Sequence, residues 1–260
     1  MPYTAEISRA NPTCFLFLID QSGSMAETFG GGAGRRKADG VADAINRLLQ
    51  TLVIRCATGD DVYPRYEVGV IGYGRSVGPA FGGVLAGRSL VPINEVANAP
   101  ASIQERTRKT DDGAGGLIDQ TVKFPVWFEP VADGGTPMCE ALRRAHHLLQ
   151  EWVSRHQTAY PPMVFNITDG DATDGDPTSH AQAIGSLSTA DGNVLVFNCH
   201  ISSQLPLPSY FLTVMPACRT SMHAPSSACR ACSLVVCVRR AVRASSRANK
   251  RVASPSTPTW

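Results

Sequence analysis

The sequence has no long apolar stretch. The longest uninterrupted apolar run among its 260 residues covers residues 14–19. A membrane-spanning helix needs about 20 apolar residues, so we expect no membrane insertion. Residues 1–13 also lack a basic segment leading into an apolar core. The sequence therefore predicts no secretory signal and a cytoplasmic protein.

Acidic residues are absent from the C-terminal part of the chain. Residues 205–260 contain eight Lys and Arg but no Asp or Glu, which leaves 16 basic and 22 acidic residues in residues 1–204. This step in composition predicts a folded domain over residues 1–204 and a basic, irregular tail over residues 205–260. Both a native tail and an out-of-frame tail are compatible with the sequence.

Cysteine is scarce in the predicted domain, where it occurs only beside apolar segments. Such residues behave as small buried hydrophobic groups and favour a reducing compartment. The cysteines of residues 1–204 are Cys14, Cys56, Cys139 and Cys199. The spacing of the tail cysteines matches no common zinc module. These are Cys218, Cys229, Cys232 and Cys237.

Short apolar strands alternate with amphipathic helices along the first 204 residues. The pattern predicts strands at residues 14–19, 66–73, 163–167 and 193–200, and helices at residues 37–52, 138–155 and 179–188. Hairpins and loops are expected between residues 75 and 130. The alternation predicts an α/β fold, a doubly wound and mainly parallel sheet with helices on both faces.

Polar loops follow two of the predicted strands. Asp20, Ser22 and Ser24 come directly after the first strand, and Asp169 follows the third. Thr136 precedes a predicted helix as a plausible N-cap. Because ligands bind beyond the carboxyl ends of parallel strands, we expect these five side chains to meet. Carboxylate and hydroxyl oxygens without His or Cys favour Mg²⁺, with Mn²⁺ or Ca²⁺ as alternatives.

Together the three loops resemble the metal-ion-dependent adhesion site of a von Willebrand factor type A domain, particularly of the intracellular bacterial type. The resemblance covers residues 12–203 and implies a Rossmann-like fold. It also implies an atypical or truncated C-terminal end, because the family continues with a helix, a strand and a final helix. The implied metal ligands are Asp20, Ser22, Ser24, Thr136 and Asp169.

The resemblance implies a non-enzymatic adaptor or assembly module, in which bound Mg²⁺ accepts a Glu or Asp carboxylate from a partner protein. One alternative is a Mg²⁺-dependent phosphoryl-transfer enzyme. Against it, Ser22 stands where haloacid-dehalogenase-type phosphatases have a second Asp, and the loops contain no Lys or general base. A second alternative is nucleic-acid binding through the basic tail, which we expect to be only non-specific.

Other polar residues near these loops have simpler interpretations. Asp171, Asp174 and Asp176 could extend a cation site, but a solvated acidic loop is favoured because the EF-hand pattern is absent. His146 and His147 are adjacent on a predicted helix and therefore point about 100° apart. They indicate the polar edge of an amphipathic helix rather than a pair of metal ligands.

Overall fold

The computed structural model describes residues 3–28, 34–111, 116–201, 210–214 and 234–237. The helices are α1 (Lys37–Cys56), α2 (Ile93–Asn98), α3 (Met138–Arg155) and α4 (Thr178–Ser186), with short 3₁₀ turns at Gly23–Ala26 and Gly83–Leu85. The strands are β1 (Thr13–Asp20), β2 (Ala57–Thr58), β3 (Asp61–Val62), β4 (Tyr66–Tyr73), β5 (Val77–Pro79), β6 (Val91–Pro92), β7 (Ser102–Asp111), β8 (Leu117–Val126), β9 (Met163–Thr168), β10 (Ser188–Thr189), β11 (Gly192–Asn193), β12 (Leu195–Ile201), β13 (Tyr210–Val214) and β14 (Leu234–Cys237).

The main sheet is mixed, with parallel strands at its centre. Its order is β14-β13-β12-β9-β1-β4-β5, and β6 also pairs with β4. Strand β1 runs parallel to β4 and β9, and β9 runs parallel to β12. The outer strands β5, β6, β13 and β14 are antiparallel to their neighbours. The prediction of an α/β fold with a mainly parallel central sheet is confirmed.

Strand β1 is buried on both faces, which explains its continuous apolar run. Phe17 and Ile19 belong to a core cluster with the buried side of α1. Leu16 and Leu18 belong to a second cluster with α3 and α4. Because successive side chains of a strand point to opposite faces, the two clusters lie on opposite sides of β1.

The helices and central strands lie close to their predicted positions. Helix α3 has the predicted bounds of residues 138–155, and α4 differs from its prediction by one residue at the start and two at the end. Helix α1 continues to Cys56 instead of ending at residue 52. Packing against the core explains the extension, because Cys56 is buried and Val53 packs against the same cluster as Leu52.

Residues 102–111 and 117–126 form a two-stranded ribbon, and among the described strands they pair only with each other. Strands β7 and β8 are antiparallel from Ser102 opposite Val126 to Asp111 opposite Leu117. Hairpins were expected in this part of the chain, but two ten-residue strands were not. Phe124 and Val126 are buried at the base of the ribbon, whereas Ile103 is 60% exposed.

Two segments of the predicted tail are strands of the main sheet. Strand β13 pairs with β12, and β14 pairs with β13. The rest of residues 205–260, including Cys218, Cys229 and Cys232, lies outside the described residues. The predicted boundary at residue 204 therefore stays a prediction. No helix in the described ranges is both long and apolar enough to cross a bilayer.

Candidate functional site

Three loops meet at the carboxyl ends of β1 and β9. The backbone N–H of Gly23, in the loop after β1, donates to the carbonyl of Gly134 at 2.9 Å. In return, the Asp133 N–H donates to the Gln21 carbonyl at 2.7 Å. These bonds fasten the loop that leads into α3 against the loop that follows β1. The predicted convergence of the loops is therefore present in the structure.

A chain of hydrogen bonds connects Asp20, Ser22, Ser24, Thr168 and Asp169, which we call the oxygen cluster. Asp20 accepts from the Thr168 hydroxyl at 2.7 Å and from the Ser22 N–H at 2.8 Å. The hydroxyl oxygens of Ser22 and Ser24 lie 3.0 Å apart. The Ser24 hydroxyl donates to Asp169 at 2.8 Å. Four of the five predicted site residues are thus directly linked, and Thr168 is an addition.

Thr136 lies at the same edge but is held by the loop after β9. Its N–H donates to the Thr173 hydroxyl at 3.0 Å, and the Thr173 N–H donates to the Thr136 carbonyl at 2.9 Å. The prediction that Thr136 caps α3 is wrong, because the residue before the helix is Pro137 and makes no side-chain cap. The cap comes from Asp174, whose carboxylate accepts from the N–H groups of Cys139 and Glu140 at 3.0 and 2.9 Å.

Two acidic residues in the segment after β9, Asp174 and Asp176, accept hydrogen bonds at the starts of helices. Besides Asp174 on α3, Asp176 accepts from the Thr178 N–H at 2.9 Å at the start of α4. Hydrogen bonds from the Thr178 side chain and, second, from this N–H lower the pKa of the Asp176 carboxyl. A carboxylate is favourable at a helix N-terminus because it pairs with free N–H groups and with the helix dipole.

Sequence reasoning missed Lys37, which lies against the oxygen cluster. Its Nζ donates to Asp169 at 2.9 Å and to Glu27 at 2.8 Å, and its side chain is only 5% exposed. Burial lowers the pKa of this ammonium, but the hydrogen bonds to Glu27 and Asp169 more than offset burial and leave the pKa raised. Lys37 therefore remains charged at neutral pH.

A sequence signal for Lys37 does exist. The residue opens α1 on the same side as the buried Ala38 and Val41. The first turn of a helix favours acidic residues because of the helix dipole, so a buried Lys there needs a carboxylate partner. Lys37 comes well after Asp20 in the sequence and beyond a Gly-rich loop, so its contact with the cluster arises only from the tertiary fold.

The oxygen cluster holds more negative than positive charge. Asp20 is 1% exposed, as is the side chain of Asp169. Lys37 forms an ion pair with Asp169, but no ion pair among the described residues involves Asp20. A buried carboxylate is costly without a cationic partner. The Asp20 end of the cluster therefore fits an added cation.

Tyr73 lies next to the cluster and adds no charge to it. Its hydroxyl donates to the Asn166 side chain at 2.8 Å, and Asn166 in turn donates to Asn198 at 2.8 Å. Burial, together with the nearby Asp20 carboxylate, raises the pKa of Tyr73 well above its ordinary value. Tyr73 therefore stays neutral and serves to hold the ends of β4, β9 and β12 together.

A small cavity lies beside the loop after β1. It has a volume of about 250 Å³, and its lining includes Gln21, Ser76 and Glu129. Gly72 leaves room for the Gln21 side chain, since a Cβ there would lie 2.1 Å from the Gln21 Oε1 atom. The lining also includes the apolar Pro79 and Val131, and no residue of the oxygen cluster belongs to it.

Comparison with known proteins gives no family. No family model matches the chain, and no curated protein matches it. Among solved structures, it is similar to three N-terminal domains of the type V pili tip protein Mfa5 from Porphyromonas gingivalis, at 15% identity and a TM-score of 0.34 over 62% of this chain and 20% of that one. It is also similar to the pilus adhesin RrgA from Streptococcus pneumoniae, at 16% identity and a TM-score of 0.34 over 64% and 21%. The chain thus spans about a fifth of their length.

These findings correct the family expectation. No family model matches the chain, and the described residues hold no group of three or more His, Cys, Asp or Glu side chains that could bind a metal ion. The prediction of a von Willebrand factor type A domain with a metal-ion-dependent adhesion site is therefore wrong. Its physical weakness is that polar loops converge at the carboxyl edge of any parallel sheet, so convergence does not identify a family.

Proposed function

We propose that this chain is a non-enzymatic adaptor or assembly module whose oxygen cluster binds a partner protein with the help of a divalent cation. The observation that supports the proposal is Asp20, a buried carboxylate that has two hydrogen bonds and, within the described part of the chain, no ion pair.

The residues that would hold the cation are those the sequence singled out. Their oxygens are carboxylates and hydroxyls, the donors that Mg²⁺ prefers, and Mn²⁺ or Ca²⁺ are further candidates. When bound, the ion would supply positive charge for a Glu or Asp of the partner. The proposed ligands are Asp20, Ser22, Ser24, Thr136 and Asp169.

A finer fold and a cellular location accompany this proposal. We take the chain to be doubly wound, with α1 on one side of the sheet and α3 and α4 on the other, as the two core clusters favour. We place it in the cytoplasm. The free thiols of Cys14, Cys56 and Cys139 are buried, which is compatible with a reducing compartment.

Phosphoryl transfer is the competing function, and Lys37 is the observation in its favour. The three loops themselves contain no Lys, but Lys37 of α1 contacts Asp169. Its ammonium is nevertheless engaged by two carboxylates, and the cluster contains no His or Cys to act as a base. We expect no turnover of an aryl phosphate with Mg²⁺, and measurable turnover would favour the enzyme.

The proposed function can be tested by partner capture from a cell lysate in Mg²⁺ or in chelator. We expect wild type to retain partners only with Mg²⁺, and Asp20→Ala to retain none. Asp60→Ala is the matched control, because Asp60 is an exposed carboxylate between β2 and β3, away from the cluster. Capture that is equal in Mg²⁺ and chelator would remove the proposal.

A further inference from the structure

Lys37 and a divalent cation would neutralise the same carboxylate. The Lys37 ammonium lies 2.9 Å from one oxygen of Asp169, and the Ser24 hydroxyl lies 2.8 Å from the other. Both oxygens of this buried side chain are thus occupied. A cation that binds Asp169 must therefore share it with Lys37 or displace the ammonium.

We infer that Lys37 is a built-in competitor that sets the concentration at which the oxygen cluster takes up a divalent cation. This inference deepens the proposed function and depends on it. Without the cation, Lys37 neutralises Asp169 and keeps the cluster closed. With the cation, the ammonium leaves Asp169 and the cluster opens to a partner's carboxylate.

Glu27 gives the displaced ammonium a second partner. Its carboxylate accepts from Lys37 at 2.8 Å, and its backbone carbonyl accepts from the Lys37 N–H at 2.9 Å. The two residues therefore stay together when the contact with Asp169 breaks. Because the Glu27 side chain is 63% exposed, the ammonium moves toward solvent instead of being left buried and unpaired.

The charge balance at the cluster supports competition between Lys37 and a cation rather than a purely structural ion pair. A structural pair would balance the buried charge, but Lys37 balances only one of the two buried carboxylates at the cluster. The remaining charge at Asp20 attracts a cation to the position where it encounters Lys37. The net free energy of cation binding is then the attraction of the carboxylates for the cation minus the free energy needed to displace Lys37 from Asp169.

The test is the Mg²⁺ dissociation constant of Lys37→Met, measured by isothermal titration calorimetry on the full chain. Removing the ammonium should lower this constant at least tenfold, about 1.4 kcal/mol, which is a modest share of the cost of breaking a buried pair. If Lys37→Met does not fold, Lys37→Gln provides the same comparison. The amide of the introduced Gln can still donate to Asp169, although it carries no charge.

The matched control is Arg36→Met, which removes an equal charge at the neighbouring position. Arg36 pairs with Asp39 at the surface, where the side chains are 49% and 27% exposed. We expect a change below about twofold, since surface pairs contribute little. Lys37→Arg keeps the charge and should not bind Mg²⁺ more tightly than wild type.

The outcomes separate this inference from the proposed function. If wild type binds Mg²⁺ and the Lys37 variants bind it within twofold of wild type, the competitor role is overturned. If Lys37→Met and Arg36→Met tighten binding equally, general charge rather than contact is responsible, and the inference also fails. If neither wild type nor any Lys37 variant binds Mg²⁺, the proposed function itself fails.

Discussion

Asp43 in helix α1 gives the sharpest prediction about stability. Its side chain is 7% exposed and accepts from Arg35 at 3.2 Å, from Arg47 at 3.1 Å and from Arg106 of the β7–β8 ribbon. Burial raises the pKa of this carboxyl, but the hydrogen bonds to Arg35 and Arg106 outweigh burial and lower the pKa to about 2. The network connects the ribbon to the body of the protein.

The expected magnitude follows from this pKa. An unfolded Asp titrates near pH 4, so a difference of about two units corresponds to roughly 2.5 kcal/mol of folding free energy. Because the folded pKa is the lower one, this contribution is fully present above about pH 5 and is lost as the pH falls toward 2. Asp43→Asn should therefore lower the free energy of unfolding by roughly 2 kcal/mol at pH 7.

Urea unfolding at pH 7, 5 and 3, followed by far-UV circular dichroism, measures this effect. The difference between wild type and Asp43→Asn should be similar at pH 7 and 5 and smaller at pH 3. Asp39→Asn is the control, because its pair with Arg36 lies at the surface and should contribute less than about 1 kcal/mol. A difference that does not change with pH, or that equals the control's at pH 7, would refute the reasoning.

Two further predictions concern the loops that position the site, each measured by urea unfolding. Asp174→Ala should cost about 1–2 kcal/mol by removing the cap of α3, whereas Asp171→Ala, in the same loop and exposed, should change stability by less than about 0.5 kcal/mol. Gly134→Ala should cost more than about 1 kcal/mol, because its φ is +91° and a Cβ would lie 2.4 Å from the Arg75 nitrogen. Equal stability of the two Asp variants, or a Gly134→Ala protein as stable as wild type, would contradict these structural roles.

The fold was predictable where local patterns and tertiary packing agree. The apolar run of β1 needed burial on both faces, and the spacing of Leu142, Ala145 and Leu149 needed a helix with one buried side. Both elements therefore appear at their predicted positions. The long β7–β8 ribbon was not predicted, because its strands are mostly polar and exposed on both faces and so carry little alternation.

The oxygen-bearing residues of the candidate site were predictable from the sequence, but the residues that contact them from other elements were not. Asp20 ends β1 and Asp169 follows β9, so the rule for parallel sheets brought them together correctly. Lys37 and the Asp174 cap reach the site from other elements, and no local pattern reports such contacts. The family could not be obtained from these loops either, because a few polar residues after a strand recur in unrelated α/β proteins.

The central claim is that the oxygen cluster takes up a divalent cation. Its most direct test is a crystal grown in Mn²⁺, with the ion located by its anomalous scattering. We predict a peak bonded to Asp20 and the Ser22 and Ser24 hydroxyls, with the Lys37 ammonium moved away from Asp169. A well-ordered cluster with no anomalous peak, and Lys37 still on Asp169, would contradict it.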